Sequence, residues 1–472
     1  MPPVRQYADL PGPAGIPVFG NAFQIKPERA HLIFENWARR YGPFYRLKIG
    51  PRRIVVVSDH EAVAMALRDR PDGYSRTTRL EQVWMEMGMP NGVFGANGDT
   101  WRRQRRMVMA GFDPVHVKRY FPSLQGVAGR LAGRWHKAAL REETIDLQSD
   151  LMRYTVDTIA GLAFGAEVNT LESDEDRIQH HLDKIFPMLF KRIFSPVPLH
   201  RWWPSRADRA LQRSTKEVMI AVNGFVAQAR RRMADNPALH QTPDNLLEAM
   251  IAAADQPDSG MDDEQVAGNV LTMLLAGEDT TANTLAWMIY LLWQNPQALA
   301  TATAEVRRVC GDATDLTIDH LAQLDFVEAC AHETMRLKPV APQLPLETLR
   351  DTVLGGVQLP RGTVVVNLMR MNSVSELHVA QAHAFVPQRW LESTEQGARA
   401  ASTKRISMPF GAGPRICPGR YLALLEMKMA IATLLGRFDL VSVGTANGKE
   451  PAERMAFTMT PVGLQMRVRE RA

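Results

Sequence analysis

The chain has 472 residues, of which 45% are hydrophobic and 23% charged, the composition of a globular protein that can bury a large core. Its formal net charge of +5 is small for this length and comes with no basic tail or nucleic-acid-binding motif, so no nucleic-acid partner is expected. Three cysteines without CxxC or metal-finger spacing exclude a disulfide framework and fit a reducing compartment, which predicts a cytoplasmic protein.

The first predicted elements are helices and a pair of strands. Residues 1–20 are rich in Pro and Gly and contain no apolar run, so neither a signal peptide nor a membrane anchor is expected. The spacing of apolar residues then predicts a helix, two strands around a Gly-Pro turn, and a second helix, over residues 32–41, 45–49, 53–57 and 60–70. Helical periodicity follows for most of the chain from 100 to 330.

The pattern changes after this helical region. Short strands separated by Gly and Pro, a helix and a terminal hairpin are predicted over residues 353–354, 357–359, 364–368, 421–435 and 457–469. The sequence therefore predicts a mainly helical fold with small β-sheets, whose β-rich portions lie near residues 43–60 and 340–390. No repeat or linker interrupts the pattern, so residues 1–472 are expected to form a single domain.

A long helix is predicted over residues 262–295. Its apolar stretch contains Glu278 and Asp279, and an acidic pair in mid-span favours a buried helix over a membrane span. At 1.5 Å per residue the helix is roughly 50 Å long. The i, i+4, i+7, i+11 spacing places one stripe along it, made of Asn269, Met273, Ala276 and Thr280.

One cysteine lies in a glycine-rich string over residues 410–419, Phe-Gly-Ala-Gly-Pro-Arg-Ile-Cys-Pro-Gly. Glycines let a backbone approach a flat ligand closely, and the amides of the helix that follows can donate toward a thiolate at Cys417. From the residues alone, a glycine-rich turn around a buried cysteine explains the string equally well. The other two cysteines, Cys310 and Cys330, are interpreted as small buried hydrophobic residues.

This string resembles the haem-binding signature of the cytochrome P-450 superfamily, FxxGxRxCxG. Every defined place is filled, by Phe410, Gly413, Arg415, Cys417 and Gly419. The resemblance implies a cytochrome P-450 fold, with haem b (iron protoporphyrin IX) between the long central helix and the helix of the cysteine loop. It implies that Cys417 is the axial ligand of the iron, and that the haem contacts Phe410, Gly411, Arg415 and Gly419.

Other motifs of the superfamily occur in the expected order. Glu333 and Arg336 match ExxR, and their i, i+3 spacing lets them pair on a helix. Such pairs usually lie on a solvated surface. The resemblance implies instead a buried structural pair, joined by Arg389 from a PxRW-like segment in which Gln388 replaces a common glutamate.

The central helix carries Ala-Gly-Glu-Asp-Thr-Thr over residues 276–281, which resembles the oxygen-activation motif of the superfamily. The resemblance implies that Ala276 and Gly277 lie beside the haem and that Gly277 leaves room for dioxygen. Asp279 and Thr280 would be the catalytic residues, relaying protons and hydrogen-bonding the oxygen ligand. The alternative is local kinking of the helix by side-chain bonds to its own backbone.

Trp101 and Arg105 match WxxxR and are expected to bind a haem propionate. An ordinary basic helix face is the alternative reading, and a face formed by Arg102, Arg103 and Arg106 is expected to dock an acidic redox partner. Many relatives carry another propionate-binding arginine five residues before an aspartate. Here Leu346 stands at that place, and the offset of Arg350 predicts that it does not substitute.

The resemblance thus implies a haem-thiolate monooxygenase that inserts one atom of dioxygen into a small apolar organic substrate. A ferredoxin or flavodoxin with its reductase would supply the electrons. The alternatives are an enzyme that uses or rearranges peroxide, which the Asp-Thr pair disfavours, and a non-catalytic haem sensor. The expected substrate pocket is apolar and adaptable, and comprises Trp84, Met85, Phe186, Met273, Ala276, Val340, Met455 and Phe457.

Overall fold

Helices make up most of the chain in the computed structural model, which describes residues 4–112, 114–166, 168–172, 177–182, 184–195, 197–391 and 403–471. In chain order the helices are α1 Ala30–Tyr41, α2 His60–Arg68, α3 Thr78–Glu86, α4 Gly98–Gly111, α5 Pro114–Arg119, α6 Phe121–Leu140, α7 Leu147–Phe164, α8 Arg177–Leu182, α9 Ile185–Phe194, α10 Arg206–Asp235, α11 Leu246–Ala254, α12 Asp263–Gln294, α13 Pro296–Cys310, α14 Ile318–Ala322, α15 Asp325–Leu337, α16 403–407 and α17 Arg420–Arg437.

The strands are short and belong to four small sheets. They are β1 Phe44–Ile49, β2 Arg52–Val57, β3 Tyr74–Ser75, β4 Ile145–Asp146, β5 Gln343–Thr348, β6 Thr352–Leu354, β7 Val357–Leu359, β8 Val364–Leu368, β9 Phe438–Thr445, β10 Ala452–Met455, β11 Met459–Val462 and β12 Leu464–Glu470. The largest sheet has the order β1-β2-β8-β5-β3, in which β2 and β8 run parallel and the other pairs antiparallel. The predicted fold class, mainly helical with small sheets, is confirmed.

The central helix α12 has the predicted length because both of its ends are specified locally. Asp262 accepts from the Gln265 amide, and the Gln265 side chain accepts from Asp262 in return. At the other end, Pro296 begins a new helix directly after Asn295. Most of α12 is buried against α7, α10, α15 and α17, which explains its nearly continuous apolar character. Among the described residues, none of the helices is long and apolar enough to cross a bilayer.

The core has two parts. The larger cluster surrounds α12 and joins most of the helices. The smaller cluster fills the space between the five-stranded sheet and α2, and it contains Leu346, which is fully buried. The leucine that replaces an expected arginine is therefore an apolar core residue of the sheet.

The predicted terminal hairpin over 457–469 is wrong. β11 pairs with β10, and β12 pairs with β9 and β4 in a different sheet. Gly463, with φ +73°, lies between β11 and β12 and lets the chain pass from one sheet to the other. The hairpin turn lies earlier, at residues 456–458, because Met455 pairs with Met459.

Candidate functional site

The cysteine loop is a tight structure that precedes α17 directly. The Cys417 amide donates to the Phe410 carbonyl at 2.9 Å, which closes the loop. Gly413 has φ +71°, and a Cβ at this position would lie 2.7 Å from the Arg68 Cα atom. A side chain is therefore excluded both by the backbone conformation and by the close approach of α2.

The three cysteines differ in their electrostatic surroundings. Burial raises the pKa of Cys417, while the Gly419 amide, Arg105 and Arg420 lower it. Burial and the nearby Glu305 raise the pKa of Cys310 to about 11, and burial with Glu305 and Glu333 raises the pKa of Cys330 well above its usual value. Only Cys417 thus has neighbours that favour a thiolate, which distinguishes it from a merely buried cysteine.

A cavity of about 740 Å³ lies beside α12, and the residues of α12 that line it differ in part from the predicted stripe. Thr272, Leu275, Ala276 and Thr280 line the cavity, whereas Met273 packs in the core. Asn269 accepts from the Val93 amide at 2.8 Å and is fully buried. The helix is therefore rotated toward Thr272 and Leu275 relative to the prediction.

Gly277 also faces a different neighbour from the one expected. A Cβ atom on it would lie 2.6 Å from Ile159 Cδ1 of α7. The glycine is thus required for the close packing of α7 on α12, and space for dioxygen does not explain it. The expected role of Gly277 in making room for the oxygen ligand is corrected accordingly.

Asp279 and Thr280 are adjacent in sequence but do not bond to each other. The Thr280 hydroxyl donates to the Ala276 carbonyl at 2.6 Å. The Asp279 carboxylate accepts from Asn283 Nδ2 at 2.7 Å and from the Thr458 hydroxyl. Burial raises the pKa of Asp279, against the lowering effect of these two bonds and of Arg454. The back-bonding proposed as an alternative is present at Thr280, beside its position in the cavity wall.

Three arginines converge near the cysteine loop: Arg70 is buried, and Arg76 and Arg415 are half-buried. The Arg415 guanidinium lies 4.7 Å from the centre of the Trp101 ring and donates to the Asn97 side chain at 3.4 Å. Arg76 lies over the Phe94 ring at 4.0 Å, and Arg70 donates to the Ala412 carbonyl at 3.5 Å.

No carboxylate among the described residues pairs with any of the three groups. Burial and mutual repulsion lower the pKa of Arg76 and lower that of Arg415 to about 9; burial lowers that of Arg70 to about 10.

This arrangement tests whether the chain can hold haem. Buried charges are costly without partners, so a cluster of guanidinium groups calls for an anion. Haem carries two propionates that match this charge, and the cysteine loop supplies a thiol on the same side of the protein. The residues therefore fit the group. Arg70 and Arg76 were missed in the sequence because no motif marks them.

Arg105, which was expected to bind a propionate, and Arg350, which was expected not to, both have partners in the protein. Arg105 donates to the Ile416 carbonyl at 2.8 Å, so it lies against the cysteine loop. Arg350 Nη2 donates to both carboxylate oxygens of Asp69, at 2.9 and 3.0 Å, on the surface, in keeping with the expectation that Arg350 does not substitute for Leu346.

The ExxR residues lie together in the interior. Arg336 donates to both oxygens of Glu333 at 2.8 Å, and both side chains are fully buried. Arg389 Nε donates to the same carboxylate at 3.1 Å, and Trp390 Nε1 donates at 2.9 Å. Glu333 thus joins α15 to the segment after residue 384, which precedes the cysteine loop in the chain.

The cavity beside α12 has a volume of about 740 Å³ and mostly apolar walls. Five of the expected pocket residues line it: Trp84, Phe186, Ala276, Met455 and Phe457. Three do not. Met85 is 55% exposed because it follows Trp84 on α3 and points outward, Met273 is in the core, and Val340 is replaced in the wall by its neighbour Ala341.

The predicted basic docking face is weaker than the sequence indicates. Arg102 pairs with Asp99 and Asp72, which partly neutralise it. Arg103 is half-buried, and Arg106 is exposed.

Comparison with known proteins assigns this arrangement. The cytochrome P-450 family model matches residues 10–468. A self-sufficient cytochrome P-450 monooxygenase from Oidiodendron maius is 28% identical over 445 residues, which are 91% of this chain and 39% of that protein. A bifunctional cytochrome P-450/NADPH–P-450 reductase from Acremonium egyptiacum is 28% identical over 453 residues, 91% of this chain and 40% of that protein.

The chain therefore spans about two-fifths of the length of these relatives. The chloroplastic protein LUTEIN DEFICIENT 5 from Arabidopsis thaliana is 28% identical over 451 residues, 91% of this chain and 72% of that protein. The crystal structure of the cytochrome P-450DA haem domain has a TM-score of 0.84 at 24% identity and covers 100% of this chain and 99% of that chain. It shares the fold.

Proposed function

Since the chain belongs to the cytochrome P-450 family, we propose that it is a haem-thiolate monooxygenase that inserts one atom of dioxygen into a small organic substrate. The observation that carries the proposal is the pairing of two features: a thiol whose neighbours favour its ionised form, and nearby arginines that pair with no carboxylate of the described residues. The family match over 10–468 also supports a single domain for residues 1–472.

Cys417 would ligate the iron of haem b, and Arg415, Arg76 and Arg70 would bind its propionates, with Trp101 and Arg105 holding Arg415 and the cysteine loop in place. When bound between α12 and α17, haem would supply the binding and reductive activation of dioxygen. Ala276 would contact its face, with Phe410, Gly411 and Gly419 forming the loop around the thiolate.

The protein's own contribution is to hold substrate and deliver protons. Aromatic side chains of the cavity would bind an apolar substrate and exclude water from it. The Thr280 hydroxyl would hold a proton in the cavity wall beside the place where haem would activate dioxygen, and Asp279 would relay protons to this part of the cavity. The buried Glu333–Arg336–Arg389 network would fix the segment that leads to the cysteine loop.

We propose a ferredoxin or flavodoxin with its reductase as electron donor, and a cytoplasmic location. Its three cysteines are unpaired, which fits a reducing compartment. The bifunctional relative carries its reductase in the same chain. Mixing the protein with a ferredoxin–reductase pair or with a diflavin reductase, and measuring the rate of iron reduction, distinguishes the two modes.

The thiolate assignment is tested by the spectrum of the reduced carbon monoxide complex. Thiolate ligation shifts the Soret band strongly to the red, and Cys417→Ser should lose that shift, whereas Cys330→Ser should keep it. Turnover in ¹⁸O₂ should place one labelled atom in the product. Product formed from peroxide alone, and none from dioxygen with reductant, would instead support a peroxide-using enzyme.

A further inference from the structure

The β10–β11 hairpin is fastened to α12 by two matched hydrogen bonds. The Thr458 hydroxyl donates to Asp279 Oδ2, and the Thr460 hydroxyl donates to Asn283 Oδ1 at 2.6 Å. Two residues along an extended strand span about 6.6 Å, and four residues along a helix span about 6 Å. The spacing of the two threonines therefore matches the spacing of their partners, so the hairpin sits on the helix in one defined register.

The tip of this hairpin is also part of the cavity wall. Phe457 has φ +89°, which an L-residue rarely adopts. Its ring stacks on Phe186, with centroids 4.8 Å apart and an interplanar angle of 9°, and meets the edge of Phe94 at 5.7 Å. All three rings line the cavity. Aromatic packing inside the cavity thus holds an otherwise unfavourable backbone conformation, and the next residue is Thr458.

The side chains of Asp279 and Thr280 are not hydrogen-bonded to each other. Both oxygens of the carboxylate accept bonds from elsewhere, and the Thr280 hydroxyl is directed to Ala276. The charged group that acts on Asp279 is Arg454 of β10, which favours the ionised form. Where α7 packs against this part of α12, it presents the uncharged side chains of Thr155 and Ile159.

We infer that Thr458 is a positioning residue through which the cavity wall at Phe457 determines where the Asp279 carboxyl points and whether it carries a proton. An occupant that displaces Phe457 moves Thr458 with it. Asp279 then loses a donor that stabilises its ionised form, takes up a proton, and has one oxygen free to turn toward Thr280. Proton supply is thereby tied to an occupied cavity. The inference deepens the proposed function, since it rests on Asp279 as the proton-relaying group.

The first test measures the protonation of Asp279 in the ferric protein by infrared titration. The carboxyl band that is absent in Asp279→Asn identifies the group. Thr458→Val should raise the midpoint of its titration by about one to two pH units, because a hydroxyl donor to the carboxylate is lost. Thr458→Ser should restore it. Thr284→Val removes a hydroxyl that bonds the Thr280 carbonyl on the same helix and should leave the midpoint unchanged.

The link to the cavity wall is tested with Phe457→Ala. This variant should raise the Asp279 midpoint when Thr458 is present and produce no further shift when combined with T458V. An unchanged midpoint in T458V, an equal shift in T284V, or additive effects of F457A and T458V would each overturn the inference. These outcomes do not depend on turnover.

The second test uses turnover with a reductase. In wild type without an occupant, reductant consumption should be slow. T458V should increase it severalfold and move the alkaline limb of its pH profile, where Asp279 loses its proton, to higher pH, with recovery in T458S. An unmoved pH profile in T458V would overturn the inference. If wild type shows no oxygenation of any compound, the proposed function fails while the infrared midpoints still decide the role of Thr458.

Discussion

The Arg415 guanidinium of the cysteine loop stacks on the Trp101 ring of α4 at 4.7 Å. This contact joins the two elements, and no carboxylate of the described residues pairs with the guanidinium. Arg415 Nε has no hydrogen-bond partner among the described residues. Stacking offsets only part of the desolvation of a guanidinium. The folded chain without haem therefore keeps a half-buried charge at Arg415 that an anionic group can neutralise.

Arg76→Leu should have opposite effects on the two forms of the protein. Removing a desolvated charge that lacks a carboxylate partner among the described residues should raise the free energy of unfolding of the haem-free form. In the haem-loaded form, the loss of a charge-assisted bond should speed haem dissociation about ten-fold or more. Thermal unfolding of both forms and haem transfer to apomyoglobin measure these effects.

Arg350→Leu is the matched control for Arg76→Leu. It removes an exposed arginine paired with Asp69, so both measurements should change little. Equal destabilisation of both forms by Arg76→Leu would show that Arg76 is a structural residue with no role at the propionates.

Thr280→Ala should retain haem but divert reducing equivalents to hydrogen peroxide. The Thr280 side chain lines the cavity, and its hydroxyl can exchange its bond to the Ala276 carbonyl for one to bound dioxygen. The fraction of reductant recovered in product should fall severalfold, and Thr280→Ser should recover most of it. Wild-type coupling in T280A would remove Thr280 from the mechanism.

The sequence was most informative where function depends on local spacing. Glu333 and Arg336 are one helical turn apart, and the cysteine string is continuous, so both could be recognised without a fold. The ends of α12 were also predictable, since Asp262 and Pro296 mark them.

What could not be predicted depends on contacts between distant segments. In the sequence, Arg76 cannot be told from an exposed arginine. The fold shows that it lies near Arg70 and Arg415 and that no carboxylate of the described residues pairs with it. Thr458 and Asp279 are 179 residues apart in the chain, and no local pattern joins them. Periodicity found a stripe on α12 of which Ala276 and Thr280 line the cavity, but it could not show the place of Met273 in the core or the packing of Gly277 on Ile159.

Glu426 should make stability fall as pH rises. Full burial raises the pKa of Glu426 from 4.5 to about 8, with Thr281 as its hydrogen-bond donor. The folded state then holds a proton that the unfolded state has released between these two pH values. Over this window the free energy of unfolding should decrease by at most about 1.4 kcal/mol per pH unit from this group.

Glu426→Gln keeps the shape of the protonated acid and cannot ionise, so it should flatten the stability profile between pH 4.5 and 8. Glu328→Gln provides a contrast, because His332 and Lys428 lower the pKa of Glu328 to about 2. Loss of the Glu328 carboxylate should reduce the free energy of unfolding at pH values above the usual pKa of a glutamate. Denaturant unfolding across the range measures both, and an unchanged slope in E426Q would contradict the assignment.

The cavity should prefer amphipathic substrates with one anionic end. Arg52 and Arg79 belong to its wall, and their side chains donate to backbone carbonyls of α9, at Ile193 and Arg192. Burial and mutual repulsion lower the pKa of Arg52, as expected for a guanidinium that would gain from an anion. Dodecanoate should therefore bind at least about ten-fold more tightly than dodecanol in a ferric spin-state titration, since a charge-assisted bond contributes about 1.5–3 kcal/mol.

The preference should weaken with ionic strength because part of the attraction acts through solvent. Combining Arg52→Leu with Arg79→Leu should remove it and leave dodecanol binding nearly unchanged. Arg39→Leu on α1, where Arg39 bonds only Asn36 in the described structure, should keep it. Equal affinities for the acid and the alcohol in wild type, or a preference that survives the double substitution, would mean that these arginines serve the fold around α9 and leave the choice of substrate to the apolar wall.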